Sequence, residues 1–431
     1  MHGKRKARPG HSFGVKLAIV ISLFSLCFTK GMAQGNFSPY SQFGVGDIDD
    51  NYYNRTSGLA NTGEAYRSNR YLINNNPASL SALTNQYLVV EMGIRGSLIN
   101  YYGQPVDASS NQSGDITFRK LSIGIKLSKH WGSSIGLTPF ATQNYEFNVP
   151  ADIGTVPGQT ANNLFQGHGS VNKVYWANSY EFFHHISIGV DAGYLFGQLN
   201  QKNDLQNFVA GPTLISTVTN TNLSNLYMGY GLQVYGAVGK HWEYSLGGTF
   251  SPRTDLFAES TLQSFNNDSV AVSNEVLSRS YQPFPMAYGA GIAITKDQKY
   301  TFLADYKYQG WGALNQPTTG YTLINSSKIS AGFEISKKKV LYNNRVELSY
   351  FQAGLYYGDT YLQVYGQPIR DMGVTVGLGK NSMKSPLAYS IVLQYGIKGT
   401  QTNNLIQERY ANVTFVLNYG AILFTRGKKY P

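Results

Sequence analysis

Residues 186–197 read ISIGVDAGYLFG, and their alternation decides the fold. Ile186, Ile188, Val190, Ala192, Tyr194 and Phe196 fall on one side of an extended chain; Ser187, Gly189, Asp191, Gly193, Leu195 and Gly197 fall on the other. One side suits lipid and the other a polar or tightly packed interior. The same period runs through Leu121, Ile123, Ile125 and Leu127 against Ser122, Gly124 and Lys126, and it returns over 387–398 and 412–419. Soluble sandwiches alternate too, but over strands of about five or six residues. These segments run to roughly ten or more, the length a tilted membrane-crossing strand requires.

Outward from that stretch, fourteen such segments start near Tyr87, Ile116, Trp131, Gln166, Ile186, Tyr227, Tyr244, Phe284, Tyr300, Ser327, Arg345, Ile369, Pro386 and Gln407. An even number is what single-chain outer-membrane barrels have. The connections alternate in length. Lys129-His130-Trp131, Phe183-His184-His185, Lys240-His241-Trp242 and the links at 295–299, 337–344 and 380–385 are short; those at 102–114, 149–165, 202–225, 254–280, 312–326 and 358–367 are long and polar. Short turns on one rim and long loops on the other predict an all-β, antiparallel transmembrane barrel, with both termini on the short-turn side. The 33 Tyr, 22 Phe and 46 Gly agree, since aromatic rings gather at membrane interfaces and glycine fits a crowded barrel wall. No stretch after residue 33 approaches the length of a membrane helix, so a bilayer must be crossed by strands.

The N-terminus reads as an export signal over residues 1–33. Lys4, Arg5, Lys6 and Arg8 precede an apolar run from Leu17 to Phe28, and Gly31-Met32-Ala33 offers a cleavage site. The run is too short for an anchor. Leu26 stands where a lipidated Cys27 would need a small residue, so lipidation is set aside. Six of the 35 basic residues and none of the 24 acids precede position 34, so the mature chain carries 29 against 24, about +5. No basic stripe interleaved with aromatics is present, and nucleic acid is excluded as a partner. The only cysteine leaves with the signal, and no cofactor or cysteine-ligated metal is expected.

Residues 34–84 do not read as strand. Asn74, Asn75, Asn76, Pro77, Ala78 and Ser79 form their core, with a proline that lacks an N–H and asparagines that offer local turn bonds. Such a segment needs a surround, and the expectation is a plug inside the barrel of residues 85–431. An NPA-containing segment before the first strand, the strand count, and the closing pattern of Gly377-Leu378-Gly379, Tyr395-Gly396 and a final amphipathic strand resemble the FadL/TodX family of outer-membrane transport proteins. The resemblance extends to PorV-like barrels, subunits of secretion machinery. It implies a hatch in the lumen, a hydrophobic small-molecule cargo, long-chain fatty acid-like or aromatic, and lateral release through the wall into outer-membrane lipid. The chain departs from the pattern in ending Lys428-Lys429-Tyr430-Pro431 and in carrying charge at lumen positions.

By alternation, Glu91, Arg95, Lys126, Asp191, Asp305, Lys307 and Lys398 face the lumen. Either they pair with each other and with Arg55, Glu64, Arg67 and Arg70 of the plug, or they line a polar path. In the third strand Gly136 and Pro139 mark a break, since proline cannot donate to a ladder; the resemblance makes this a lateral gate, and an ordinary bulge is the alternative. Pro252 is a similar break. Gly132-Ser133-Ser134-Ile135-Gly136 matches G-x-S-x-G formally, but that motif acts only between a strand and a helix, and no enzyme is expected. His184 and His185 on one tight turn make a poor metal site without further ligands. Two functions remain open: an importer of hydrophobic molecules, or a non-transporting subunit that docks other outer-membrane or periplasmic proteins.

Overall fold

The computed structural model describes residues 38–103, 111–152, 160–207, 213–265, 271–314, 320–341, 344–383 and 385–422. The expected export signal at 1–33 and the terminal Lys428-Lys429-Tyr430-Pro431 lie outside the described residues.

Fourteen antiparallel strands close into a barrel. They are β1 (Tyr87–Tyr102), β2 (Gln112–Lys126), β3 (Trp131–Asp152), β4 (Thr160–Phe182), β5 (Ile186–Asn207) and β6 (Thr213–Val238). Then come β7 (Trp242–Ser251 continued by Thr254–Phe265), β8 (Ala271–Phe284 continued by Ala287–Lys296), β9 (Tyr300–Gln309) and β10 (Ser326–Leu341). The circuit ends with β11 (Asn344–Val364), β12 (Gln367–Asn381), β13 (Leu387–Lys398) and β14 (Gln407–Ile422), which pairs back onto β1. Alternation sorts the side chains as a barrel wall must. Met92, Ile123, Val190 and Leu393 are exposed on the outer face, while Glu91, Ser122, Ser187 and Gln352 are buried inside. No described helix is long and apolar enough to cross a membrane.

Pro252 interrupts β7 opposite Pro285 in β8: Ser251 pairs with Ala287 and Thr254 with Phe284, so both strands break at one level. Neither proline can donate there, and the ladder between the two strands is interrupted at that level. The outer half of β7 still pairs with β6. Several expected long loops are strand instead. Asn207 pairs with Thr213, Phe265 with Ala271, and Val364 lies opposite Gln367. Consequently β3 to β6 run 22, 23, 22 and 26 residues, about twice what the bilayer needs, and stand as a crest beyond the long-loop rim. Out of the membrane both faces meet water, so the apolar alternation that marks a strand is missing from the sequence there.

The expectation that both termini sit on the short-turn side holds at the C-terminal end of the described residues, where Ile422 pairs with Tyr87, and is corrected at the N-terminal end. Ser38 donates from N to Asn144 O (2.8 Å) and from Oγ to Glu408 Oε1 (2.7 Å), at the long-loop end. From there the chain passes through the lumen to Gln86 at the short-turn end, where Gln86 N bonds Lys126 O (3.0 Å).

Candidate functional site in the lumen

The six residues expected to be the core of the plug make a compact knot. Asn76 caps the 3₁₀ helix Pro77–Ala82, its Oδ1 accepting from Ala78 N at 3.0 Å, and its Nδ2 donates to Glu64 O (2.9 Å) and to Leu232 O (3.1 Å) and Gly248 O (3.2 Å) of the wall. Proline suits the first helical position because its missing N–H would be unsatisfied there anyway. Asn75 bridges Thr56 Oγ1 (3.0 Å) and Asn61 O (2.9 Å), and Ser79 Oγ donates to Ile73 O (2.5 Å). Ala78 is buried, and Asn74 Oδ1 accepts from Lys120 Nζ at 2.8 Å. Glycines in the wall allow this approach. A Cβ at Gly247 would lie 1.9 Å from Glu64 O, and one at Gly231 2.1 Å from Asn76 Oδ1.

Ionic contacts hold the segment. Arg55 bonds Glu334 of β10 (Nη2–Oε1 2.7 Å) and Glu347 of β11 (Nη1–Oε1 2.7 Å), with its guanidinium 4.0 Å from the Tyr350 ring and 4.6 Å from that of Tyr71. Tyr66 donates to Glu334 at 3.0 Å. Burial pushes the phenols of Tyr53, Tyr66 and Tyr71 up, so they remain neutral donors.

The seven charges expected in the lumen are placed as follows. Glu91 pairs with Lys120, both fully buried. Arg95 lies 3.9 Å from Asp49, and Lys126 donates to Ser81 O at 2.6 Å. Asp191 pairs with Lys173 within the wall. Asp305 accepts from the backbone N–H of Gly63 (2.6 Å) and Glu64 (3.0 Å), Lys307 lies 3.3 Å from Glu64, and Lys398 pairs with Asp47. Arg67 bonds Gln233 Oε1 (2.9 Å) and covers the Tyr235 ring at 3.6 Å. Glu334, Glu347, Lys120, Lys173 and Glu408 join these seven as buried or half-buried charges that line the lumen. Lys120 shares its parity with Ser122 and Lys126, and Glu408 with Asn412 and Thr414, so alternation marks both as inward.

The wall is incomplete between β2 and β3. Their ladder runs only from Lys126↔Gly132 to Leu121↔Leu137. Gly136 lies inside it, opposite Ser122; Pro139 lies just beyond its end, at a bulge in the β3–β4 ladder. Past that point β3 pairs instead with a two-residue strand of the N-terminal segment, Asp47↔Thr142 and Ile48↔Ala141, extended by Asp49 N to Phe140 O at 2.9 Å. A cavity of about 560 Å³ touches both sides of the parting, at Arg119 on β2 and Pro139 on β3, and its lining includes Asp49, Arg95, Asp115 and Lys307. Toward the long-loop rim the lumen is packed with Tyr40, Val45, Leu195, Phe284, Trp311 and neighbours, Trp311 stacking on Tyr361 at 4.4 Å. Gly132-Ser133-Ser134-Ile135-Gly136 is uninterrupted strand, paired on both sides.

A closed fourteen-strand barrel, apolar outside and filled by its own N-terminal segment, has the architecture of outer-membrane channel proteins of the FadL type. Among solved structures it is similar to the P. putida toluene transporter TodX (TM-score 0.58, 15% identity, covering 86% of this chain and 98% of that one). It is also similar to the CymD monoaromatic hydrocarbon channel (TM-score 0.54, 12% identity, 85% and 96% covered) and to a Pseudomonas aeruginosa FadL homologue (TM-score 0.54, 11% identity, 86% and 98% covered). At these identities the likeness is one of fold. No curated protein matches the sequence. The family model that matches is BamG, over residues 15–430, and the chain belongs to that family. The expected FadL/TodX resemblance therefore holds for the fold, and the family is a different one.

Proposed function

We propose that this protein is a closed barrel of the outer membrane of a diderm bacterium, exported by a cleaved signal, whose residues 34–84 are a fixed plug, and that it serves as a non-transporting subunit of a secretion or assembly complex. The observation that carries this reading is the ionic lacing of segment to wall. Withdrawing the plug would strand Glu334 and Glu347 without Arg55, and Asp305 without its two N–H donors. Breaking one buried pair costs about 3–5 kcal/mol, so several broken together oppose opening strongly. The cavity sets charged side chains such as Asp49, Arg95, Asp115 and Lys307 among apolar ones such as Ile48, Ile99 and Phe118, and a wholly apolar cargo would leave those charges without water.

The second reading is import of a hydrophobic small molecule with lateral release. It is favoured by the parting of β2 from β3, where Gly136 and Pro139 would frame the gate, and by the barrels of like fold whose names describe hydrocarbon transport.

One covalent lock separates the two. Thr62 Oγ1 and Ser330 Oγ lie 2.9 Å apart, so Thr62→Cys with Ser330→Cys should form a bridge between plug and wall. The oxidised double variant is expected to co-purify from its native membrane with the same proteins as wild type, and to leave accumulation of a labelled fatty acid and a labelled monoaromatic unchanged. Uptake that falls on oxidation and returns with reductant would overturn the structural reading in favour of import.

A further inference from the structure

We propose a divalent-cation site of zinc type on the short-turn rim, formed by His130, Glu181 and His184. The topology brings the three together. His130 sits in the β2–β3 turn, Glu181 near the end of β4 and His184 in the β4–β5 turn. Because β3 and β4 are neighbours, Glu181 N bonds His130 O at 2.9 Å and ties one turn to the other. One potential ligand atom from each residue lies within 4.8 Å of the other two. His184 Nδ1 is 3.4 Å from Glu181 Oε1, and the His130 and His184 rings are 5.4 Å apart.

The second observation is an orphan. His130 Nδ1 is buried and has no hydrogen-bond partner among the described residues. A buried ring nitrogen ordinarily finds a partner, and a cation between the three groups would supply one. Two imidazoles and a carboxylate are the donor set of open zinc sites, with a fourth position left for water. Ligand distances of roughly 2.0–2.2 Å require the three groups to close in slightly. The His184 side chain, 77% exposed, is free to do so. The nearest competing charge is Lys126, 4.0 Å from Glu181 Oε2 and already donating to Ser81 O. His185, adjacent in sequence, is not one of the three. The missing ligands that made His184-His185 a poor site in the sequence come from a neighbouring turn and a strand end. The cation would clamp two short turns together on the rim where the β2–β3 ladder is intact.

The test uses the full-length barrel in detergent, stripped of metal, with Co²⁺ as the spectroscopic probe and Zn²⁺ in titration calorimetry near neutral pH. Wild type and His185→Ala are expected to bind one ion per chain, with the visible absorption of four-coordinate Co²⁺. His130→Ala and the isosteric Glu181→Gln are expected to lose that signal while keeping the heat-modifiable migration of a folded barrel. No binding by wild type, equal binding by all four proteins, or loss only in His185→Ala would overturn the assignment.

Discussion

At the scale of single residues, Arg55 concentrates the argument. Its guanidinium has two carboxylates and two tyrosine faces for company, and its own side chain is 3% exposed. Arg55→Met keeps the bulk and removes the charge, leaving Glu334 and Glu347 facing each other without a cation. The expected loss is about 3–5 kcal/mol in guanidinium unfolding of the micelle-bound barrel, with new protease cleavage within residues 54–84. A loss below about 1 kcal/mol would show that the segment is held by its backbone contacts instead. That Arg55 would need acids was legible in the sequence; which acids was not. Glu334 and Glu347 lie 279 and 292 residues away, and nothing local distinguishes them from other glutamates. Glu334 shares its face with Ser330, Gly332 and Ser336, so alternation marks it as inward. The inward charges are readable one strand at a time, and only their pairing needs the closed circle.

At the scale of elements, the strand Asp47–Ile48 completes a wall that the barrel's own strands leave unfinished. It occupies the edge of β3 from which β2 has separated, and its neighbours Ser38 and Asp49 add bonds to Asn144 and Phe140. Exposed strand edges invite foreign strands, and here the chain covers one with itself. Deleting residues 38–48 should leave the fourteen-strand barrel folded, remove Tyr40 and Val45 from the apolar packing near the rim, and connect the charged cavity to solvent. Planar-bilayer recordings are expected to show ion conductance from the deletion variant and none from the full chain; silence from both would mean that the remaining plug closes the lumen unaided. The sequence announced the proline break but not its occupant, because two residues of extended chain carry no periodicity. The crest of β3–β6 escaped for a related reason. Thr, Asn, Ser and Gln on both faces resemble loop when no lipid side enforces alternation.

At the scale of the whole molecule, the fold was the most legible part, since a lipid exterior and a polar interior impose one pattern on every strand. What that pattern cannot encode is the path of the segment inside. Residues 38–86 run the length of the lumen, and Ser38 is bonded to Glu408, 370 positions later. With β14 sealed to β1 along sixteen residue pairs, a segment arriving later would have to enter through one rim and thread past inward side chains already in place. A barrel made from residues 85–431 and later given residues 34–84 as a separate peptide should therefore stay empty, with Glu334 and Asp305 unprotected in hydrogen exchange of their strands, whereas co-refolding the two pieces should fill it. Filling by simple mixing would disprove the argument. The feature thus sets an order in time. Residues 38–86 leave the ribosome before any strand of the wall, and a seam that closes around a segment already in place makes that segment the former on which its own container is wound.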